Sequence, residues 1–406
     1  MEMRMHRFSS RIADIIETEG IQAETAQGTP CKAISFSRYM ELCLYDEQDG
    51  YYRSGSVRTG RQGDFYTSGA IGGMMGMMMA RYIHGAAVQN EGRFVIAEWG
   101  AGAGAMSAQM LEAWGNEHSA WMQRLDYHLV DDHPLHLEAA RQRIEDMKLM
   151  ESQDKVRSIS YFSSSDAVEA LRAAAVDSTI IIAANELIDA MPVHRVVRRQ
   201  GKLIELGVSY VVTDDGPLFK WAYMPLSSNA IAHSIEADGT RIAEGQETEV
   251  NLAAEQWLAM LGGIVRSGML FLIDYGHHAE EYRAIHRMNG TLLCYKQHMA
   301  HDDPFLVPGE QDITAHVNFT ALRRAAERAG WRTEIETTQL QFLIDQGILD
   351  LLRSHHDRDP FSETAKRNRA IRQLLLSDGM SETFKIIVLT KGDFRIQRIQ
   401  KQPESV

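Results

Sequence analysis

The spacing of apolar residues along the chain changes near position 93. From there, apolar runs at 93–98, 126–131, 156–162 and 178–186 predict four strands. The segment after the second run carries apolar residues at three- and four-residue steps, as one face of a helix requires. Strands that alternate with helices predict a parallel sheet covered on both faces, and therefore an α/β fold.

The alternation is interrupted after the fourth predicted strand. Residues 193–212 predict consecutive strands joined near Gln200-Gly201, and the segment up to 250 is less regular. A helix at 251–266 and a strand at 268–274 restore the alternation, and 384–390 predicts the last strand. We therefore expect a strand-rich insertion at about 193–250, between strands four and five.

The chain before this pattern is predicted to be mostly helical. A length of 406 residues allows two to three domains or one elaborated domain. The strand rhythm favours one core at 93–392, with a helical segment at 1–92 packed on it and a tail at 393–406. The stretch 275–317 is predicted to be rich in loops.

Composition narrows the class of protein. Lys and Arg number 42 against 55 Asp and Glu, a net charge of −13, which argues against a nucleic-acid binder and suits a cationic partner. The three cysteines form no paired motif, and no apolar run approaches about 20 residues. The first 20 residues lack the apolar core of a signal peptide. We expect a cytoplasmic protein without membrane insertion.

The sharpest motif is a glycine-rich turn between a predicted strand and a predicted helix. It reads Glu98-x-Gly100-x-Gly102-x-Gly104. Glycines permit a tight turn and close approach of a ligand, and a helix N-terminus favours anionic groups. The pattern fits the turn that binds a dinucleotide cofactor. It fits the turn that binds S-adenosyl-L-methionine at least equally well.

An acidic pair follows the second predicted strand. Asp131 is the preferred ligand of the ribose hydroxyls, which either cofactor carries, and Asp132 is the alternate. In the alternative interpretation, the acidic residue at either position is present because the N-terminus of a helix favours negative charge, and no ligand is involved.

A second motif follows the fourth predicted strand. Glu186 and Asp189 lie at the edge of the sheet where α/β proteins bind ligands. Two carboxylates there suit a cationic acceptor such as a guanidinium. In the alternative interpretation, Glu186 anchors the loop and Asp189 caps a helix. The histidines at 275–301 lack the spacing of a zinc site, so no metal is predicted.

The chain resembles the MidA family of class I S-adenosyl-L-methionine-dependent methyltransferases over about residues 34–392. The shared motifs lie in order along the chain: Leu44-Tyr45 to Gly50-Tyr51-Tyr52, Gly63-Asp64-Phe65-Tyr66-Thr67-Ser68, the glycine turn, Asn185-Glu186-x-x-Asp189-Ala190-x-Pro192-Val193, Asp274-Tyr275-Gly276, and Gly309 to Val317. Mitochondrial members of the family assemble respiratory complex I and methylate an arginine of a core subunit.

This resemblance implies a Rossmann-like, seven-stranded, mostly parallel sheet whose last strand is antiparallel, with the N-terminal segment over the cofactor site. It implies a protein substrate, with a respiratory-complex subunit as a candidate. The implied cofactor-binding residues are Gly63, Asp64, Thr67, Ser68, Glu98, Gly100, Gly102, Gly104 and Asp131. Glu186 and Asp189 would face the acceptor as catalytic residues.

Two departures from the family pattern concern the acceptor side. The family commonly has Pro-Glu-Ile-Ser after Thr67-Ser68, where this chain has Gly69-Ala70-Ile71-Gly72. The turn has Ala101 where proline is frequent. The missing carboxylate at Ala70 motivates an alternative function, an assembly chaperone that binds S-adenosyl-L-methionine with little turnover. The oligomeric state is not predicted.

Overall fold

The computed structural model describes residues 2–53, 73–147, 156–297, 299–352, 359, 362–376 and 383–396. These residues form twelve α-helices: α1 (Glu2–Glu19), α2 (Phe36–Tyr45), α3 (Met74–Ala87), α4 (Ala105–Glu117), α5 (Ser119–Met122), α6 (Pro134–Asp146), α7 (Ser164–Ala174), α8 (Asn229–Ala237), α9 (Leu252–Ile264), α10 (Phe319–Arg328), α11 (Gln339–Asp345) and α12 (Glu363–Leu376). None of the helices in these ranges is long and apolar enough to cross a membrane.

The same residues form seventeen strands: β1 (Ile21–Glu24), β2 (Pro30–Ser35), β3 (Arg93–Trp99), β4 (Leu125–Val130), β5 (Ser158–Phe162), β6 (Ser178–Asn185), β7 (His194–Arg199), β8 (Lys202–Thr213), β9 (Gly216–Met224), β10 (Glu247–Val250), β11 (Gly268–His277), β12 (Leu293–Lys296), β13 (Met299–His301), β14 (Asp312–Thr314), β15 (Val317–Asn318), β16 (Arg332–Thr338) and β17 (Phe384–Lys391).

The central sheet has the order β16-β17-β11-β6-β3-β4-β5, with the two-residue strand β15 beside β11. Strands β5, β4, β3, β6 and β11 are parallel, whereas β17 is antiparallel to both of its neighbours. The predicted α/β fold with a mostly parallel sheet is confirmed, and the last strand is antiparallel as expected.

The sheet is stable because both of its faces are covered. Along β6, Ile181 and Ala183 pack into the apolar core on one face, whereas Ile180 and Ile182 pack into the core on the other face. Successive side chains of a strand point to opposite faces of the sheet. A strand without polar residues therefore buries apolar side chains on both faces. This burial fixes the register of β6, and with it the position of the loop that follows.

A second sheet combines the insertion with the N-terminus. Its order is β10-β7-β8-β2-β1-β9, and β8 also pairs with β9. The N-terminal segment, predicted to be mostly helical, contains α1, α2 and α3, and it also contains an antiparallel hairpin of Ile21–Glu24 and Pro30–Ser35. The hairpin is stabilised by a distant partner, because β2 pairs with β8 through Ile34 and Val208.

The stretch 275–317, predicted to be loops, contains a small sheet of order β13-β12-β14. It packs against α1 and α2 in an apolar core that includes Phe36, Cys294 and Ile313. The predicted tail begins at 393, yet Phe394 is buried in the main core. The small sheet matters for function because it carries Asp312 to the site described next.

Candidate active site

A cavity of about 310 Å³ lies at the carboxyl ends of β3, β4 and β6. Parallel sheets bind ligands at this edge, where the strand order changes direction. Further parts of the chain complete its wall: the segment 45–53, the start of α4, α6, the start of α7, and β14. The predicted residues Glu98, Gly100, Gly102, Asp131, Glu186 and Asp189 all line it.

The glycine turn forms the floor of the cavity. Gly100, Gly102 and Gly104 have φ angles of 75°, 52° and 70°, the left-handed region that favours glycine. Gly104 is also the N-cap of α4, and a Cβ at this position would lie 2.9 Å from the Cβ of Ala140. Conformation and close packing therefore both require glycine at 104.

Asp131 and Asp132 have different partners. Asp131 Oδ2 accepts a hydrogen bond from the Gly102 amide at 2.9 Å, and its Oδ1 accepts one from the His133 amide at 2.8 Å. Asp132 instead accepts hydrogen bonds from the amide and the hydroxyl of Ser164, at the start of α7. Asp131 is thus joined to the glycine turn, which supports its selection over Asp132; its role at the ribose stays a prediction.

Glu98 connects the strand before the glycine turn to the helix after it. Its Oε2 accepts hydrogen bonds from the Ser107 hydroxyl and, at 3.3 Å, from the Tyr127 hydroxyl. The residue is buried, and burial raises the pKa of Glu98 to about 7, although these hydrogen bonds oppose the rise. The carboxyl therefore ties β3 to α4, and it adjoins the cavity.

We expect Glu98→Gln to remove a pH-dependent loss of stability. The folded-state pKa lies above the ordinary value of 4.5, so folding favours the protonated form, and wild-type stability falls as pH rises from about 4.5 to about 7. The free energy of unfolding of wild type should fall by about 2 kcal/mol relative to the variant over this range. Denaturant unfolding from pH 5 to pH 8 measures this difference. Glu112→Gln, on the exposed face of α4, is the control, and equal pH profiles for Glu98→Gln and wild type would contradict the expectation.

Glu186 and Asp189 lie in the loop after β6 and line the cavity. Glu186 has a φ angle of 51°, its amide donates to Ile273 O at 2.9 Å, and its Oε1 accepts from Asn185 Nδ2 at 3.0 Å. Asp189 is buried, and burial raises the pKa of its carboxyl to about 6. No helix begins at Asp189, so the interpretation that it caps a helix is wrong.

Sequence reasoning missed the buried carboxylate that holds this loop. Asp274, in the carboxyl-terminal half of β11, accepts hydrogen bonds from the amides of Ile188 at 2.8 Å and Asp189 at 3.2 Å through Oδ2. Burial raises the pKa of Asp274 well above its usual range. The available signals were an acidic residue at the end of the apolar run GMLFLID and its place in the shared motif Asp274-Tyr275-Gly276. Asp274 is a positioning residue.

Sequence reasoning also missed two tyrosines and the acidic residue Asp312 as parts of the site. The Tyr45 hydroxyl donates to Ala190 O at 2.9 Å, and the Tyr52 hydroxyl donates to Asp312 Oδ1 at 2.8 Å. The two rings stack with centroids 5.7 Å apart. All of these residues line the cavity, and Tyr45, Tyr52 and Asp312 belong to the shared motifs quoted above.

Four of the predicted residues cannot be placed. Gly63, Asp64, Thr67 and Ser68 lie outside the described residues, so their role in closing the site stays a prediction. In the part of the chain that the structure describes, His, Cys, Asp and Glu side chains form no group of three that could hold a metal ion.

The sheet order and the glycine turn at its carboxyl edge define a class I S-adenosyl-L-methionine-dependent methyltransferase. The chain belongs to the methyltransferase family Methyltransf_28, described as S-adenosyl-L-methionine-dependent, whose profile matches residues 78–337. This finding confirms the resemblance to MidA proteins and excludes the dinucleotide alternative.

Solved structures support the family assignment. A COG1565 superfamily member from Burkholderia thailandensis bound to S-adenosyl-homocysteine is 28% identical, with a TM-score of 0.77 over 98% of this chain and 94% of that one. A native structure from the same superfamily and organism has a TM-score of 0.74, also at 28% identity, and covers 98% and 94% of the two chains.

Two curated relatives have names that state an activity. The Drosophila melanogaster "Protein arginine methyltransferase NDUFAF7 homolog, mitochondrial" is 28% identical over 73% of this chain and 67% of its own length. The Danio rerio protein arginine methyltransferase NDUFAF7, also mitochondrial, is 24% identical over 92% and 87%.

S-adenosyl-L-methionine is the cofactor of this methyltransferase. The residues present fit it, because the cavity adjoins backbone without side chains at the glycine turn and carries the Asp131 carboxylate on its wall. When bound, the cofactor supplies a methyl group activated by a positively charged sulfur, which keeps the bonding electron pair when the methyl leaves.

Proposed function

We propose that this protein methylates a nitrogen of an arginine in a protein substrate. The observation that carries the proposal is the pair Glu186 and Asp189, which line the same cavity as the glycine turn. The names of the two curated relatives support arginine as the acceptor. A respiratory-complex subunit is the candidate substrate that the MidA resemblance implies. A cytoplasmic location remains an expectation from the sequence, and the named relatives are mitochondrial.

The role proposed for the cofactor-side residues follows from their positions. Gly100 and Gly102, which line the cavity, leave space along the backbone for the methionine part of the cofactor, and Gly104 packs the same turn against Ala140. Asp131 accepts hydrogen bonds from the ribose hydroxyls while its link to the Gly102 amide keeps the turn in place. The N-terminus of α4 lies at the same edge, and its positive dipole end favours a carboxylate.

The acceptor-side residues have a different task. A guanidinium nitrogen is a poor nucleophile because its lone pair is delocalised over a cation. Glu186 is proposed to hold this cation by charge-assisted hydrogen bonds and to concentrate its charge away from the reacting nitrogen, with the assistance of Asp189. Orientation of the acceptor is the main contribution required, because the methyl group arrives already activated.

We expect Glu186→Ala to lower kcat/KM for protein methylation about tenfold or more, as the loss of a charged hydrogen-bond partner does. Wild-type and variant enzymes are incubated with methyl-labelled S-adenosyl-L-methionine and cell extract, and methylarginine is quantified by mass spectrometry. Glu112→Ala, whose side chain is exposed on α4, is the matched control and should behave as wild type. Undiminished labelling by Glu186→Ala would reject its role, and the absence of methylarginine with wild type would reject the proposed function.

A further inference from the structure

We propose that Tyr45, Tyr52, Asp189 and Asp312 complete, around Glu186, the subsite that binds the guanidinium of the acceptor arginine and selects it over a neutral or tetrahedral group. This inference rests on the proposed function and deepens it. It concerns residues on the wall of the cavity, which come from three separate parts of the chain: the segment that begins at the end of α2, the loop after β6, and β14.

Asp189 gives the first reason. Its side chain is 5% exposed and lines the cavity. Burial raises the pKa of this carboxyl to about 6, although a hydrogen bond from the Tyr275 side chain opposes the rise. A bound cation would stabilise the ionised form of a buried carboxylate that lines a cavity.

The two tyrosines give the second reason. Their rings stack at 26° to each other, and both line the cavity beside the acids. The ring face of a tyrosine attracts a cation, and a planar guanidinium can stack on it while its N–H groups point sideways to carboxylates. An ammonium has no such plane, so the combination of ring and carboxylate favours arginine over lysine.

The hydroxyl groups of these tyrosines show why the rings stay in place. Tyr52 is held by its hydrogen bond to Asp312, and Tyr45 by its hydrogen bond to the Ala190 carbonyl. Burial raises the pKa of both hydroxyls well above the usual range, and the charges of Asp312 and Asp189 raise each further. All four side chains line the same cavity, as one subsite needs.

Two arginines among the described residues line the cavity, and both make contacts on its cofactor side. The Arg53 guanidinium faces Asp132 at 4.0 Å, and Arg143 Nε donates a hydrogen bond to Ala103 O, in the glycine turn, at 2.9 Å. The acids of the subsite are buried and face the same cavity. Buried carboxylates that share one cavity are stabilised by a bound cation, which supports a positively charged acceptor group.

The test measures binding of single-residue probes to the full chain saturated with S-adenosyl-homocysteine. The probes are Nα-acetyl-arginine amide, the citrulline amide, which has the same shape without the charge, and the lysine amide. Calorimetry should show saturable binding of the arginine probe, with the citrulline and lysine probes each about tenfold weaker or more. No saturable binding up to the solubility of the arginine probe, or equal binding of the citrulline probe, would overturn the inference.

Variants locate the subsite. Asp312→Asn and Tyr52→Leu should each weaken the arginine probe about tenfold, with S-adenosyl-homocysteine affinity within about twofold of wild type. Tyr52→Phe keeps the aromatic ring and should weaken binding of the arginine probe less than Tyr52→Leu does. If Asp312→Asn and Tyr52→Leu bind the probe as wild type does, the assignment is wrong. If a variant does not fold, the comparison of arginine with citrulline on wild type still decides. If the labelling experiment yields methylarginine but the arginine and citrulline probes bind equally, the subsite inference is rejected and the proposed function stands.

Discussion

Asp131→Ala is expected to weaken S-adenosyl-homocysteine binding by about a hundredfold or more. The substitution removes the proposed acceptor for two ribose hydroxyls, and a hydrogen bond to a charged group contributes about 1.5–3 kcal/mol. It also removes the acceptor for the Gly102 amide, so the glycine turn loses its anchor. Calorimetric titration of the purified variant gives the dissociation constant directly.

The neighbouring residue is the matched control. Asp132→Ala removes the same charge one position along the chain, but its hydrogen bonds run to Ser164 at the start of α7. We expect its affinity to remain within about fivefold of wild type, because no ribose contact is assigned to it. A larger loss for Asp132→Ala than for Asp131→Ala would reverse the assignment of the ribose ligand.

Gly104→Ala is expected to lower the free energy of unfolding by about 3 kcal/mol and to weaken cofactor binding. A left-handed φ costs a residue with a Cβ about 1–2 kcal/mol, and overpacking costs a further 1–3 kcal/mol, on the order of 3 kcal/mol together. The new Cβ would lie 2.9 Å from Ala140 Cβ, on α6. Denaturant unfolding and titration with S-adenosyl-homocysteine measure the two effects.

The same substitution at Gly85 should have the opposite sign. Gly85 lies in α3 and is exposed, and a Cβ added there would project into open space. Alanine is favoured over glycine inside a helix by up to about 1 kcal/mol, so Gly85→Ala should be stabilising. Equal unfolding free energies for the two variants would show that the geometry at 104 does not restrict the residue there.

The central sheet could be predicted because its signals are local. Each of the strands β3, β4 and β6 is an apolar run, and helices follow β3 and β4 directly, so the order of elements followed from a few residues at a time. The glycine turn was equally local. The positions of Asp131, Glu186 and Asp189 at one edge then followed from the rule that parallel strands end on the same side.

The strands of the second sheet and the partners of the buried acids depended on contacts between distant segments of the chain. Strand β1 exposes three of its four residues and buries only Ala23, so no alternation marks it. It is a strand because β2 and β9 supply its hydrogen-bond partners. Asp274 and Asp312 were missed as site residues for a similar reason, since an acid in sequence does not show which amide or hydroxyl will be its partner in the fold.

The hairpin of β1 and β2 has a consequence for synthesis of the protein. During translation, these strands leave the ribosome long before β8 and β9, the strands with which they pair. Until then, the unpaired edges of the hairpin can associate with other chains, and contacts between distant segments form slowly. The second sheet can therefore be completed only after β8 and β9 have been synthesised.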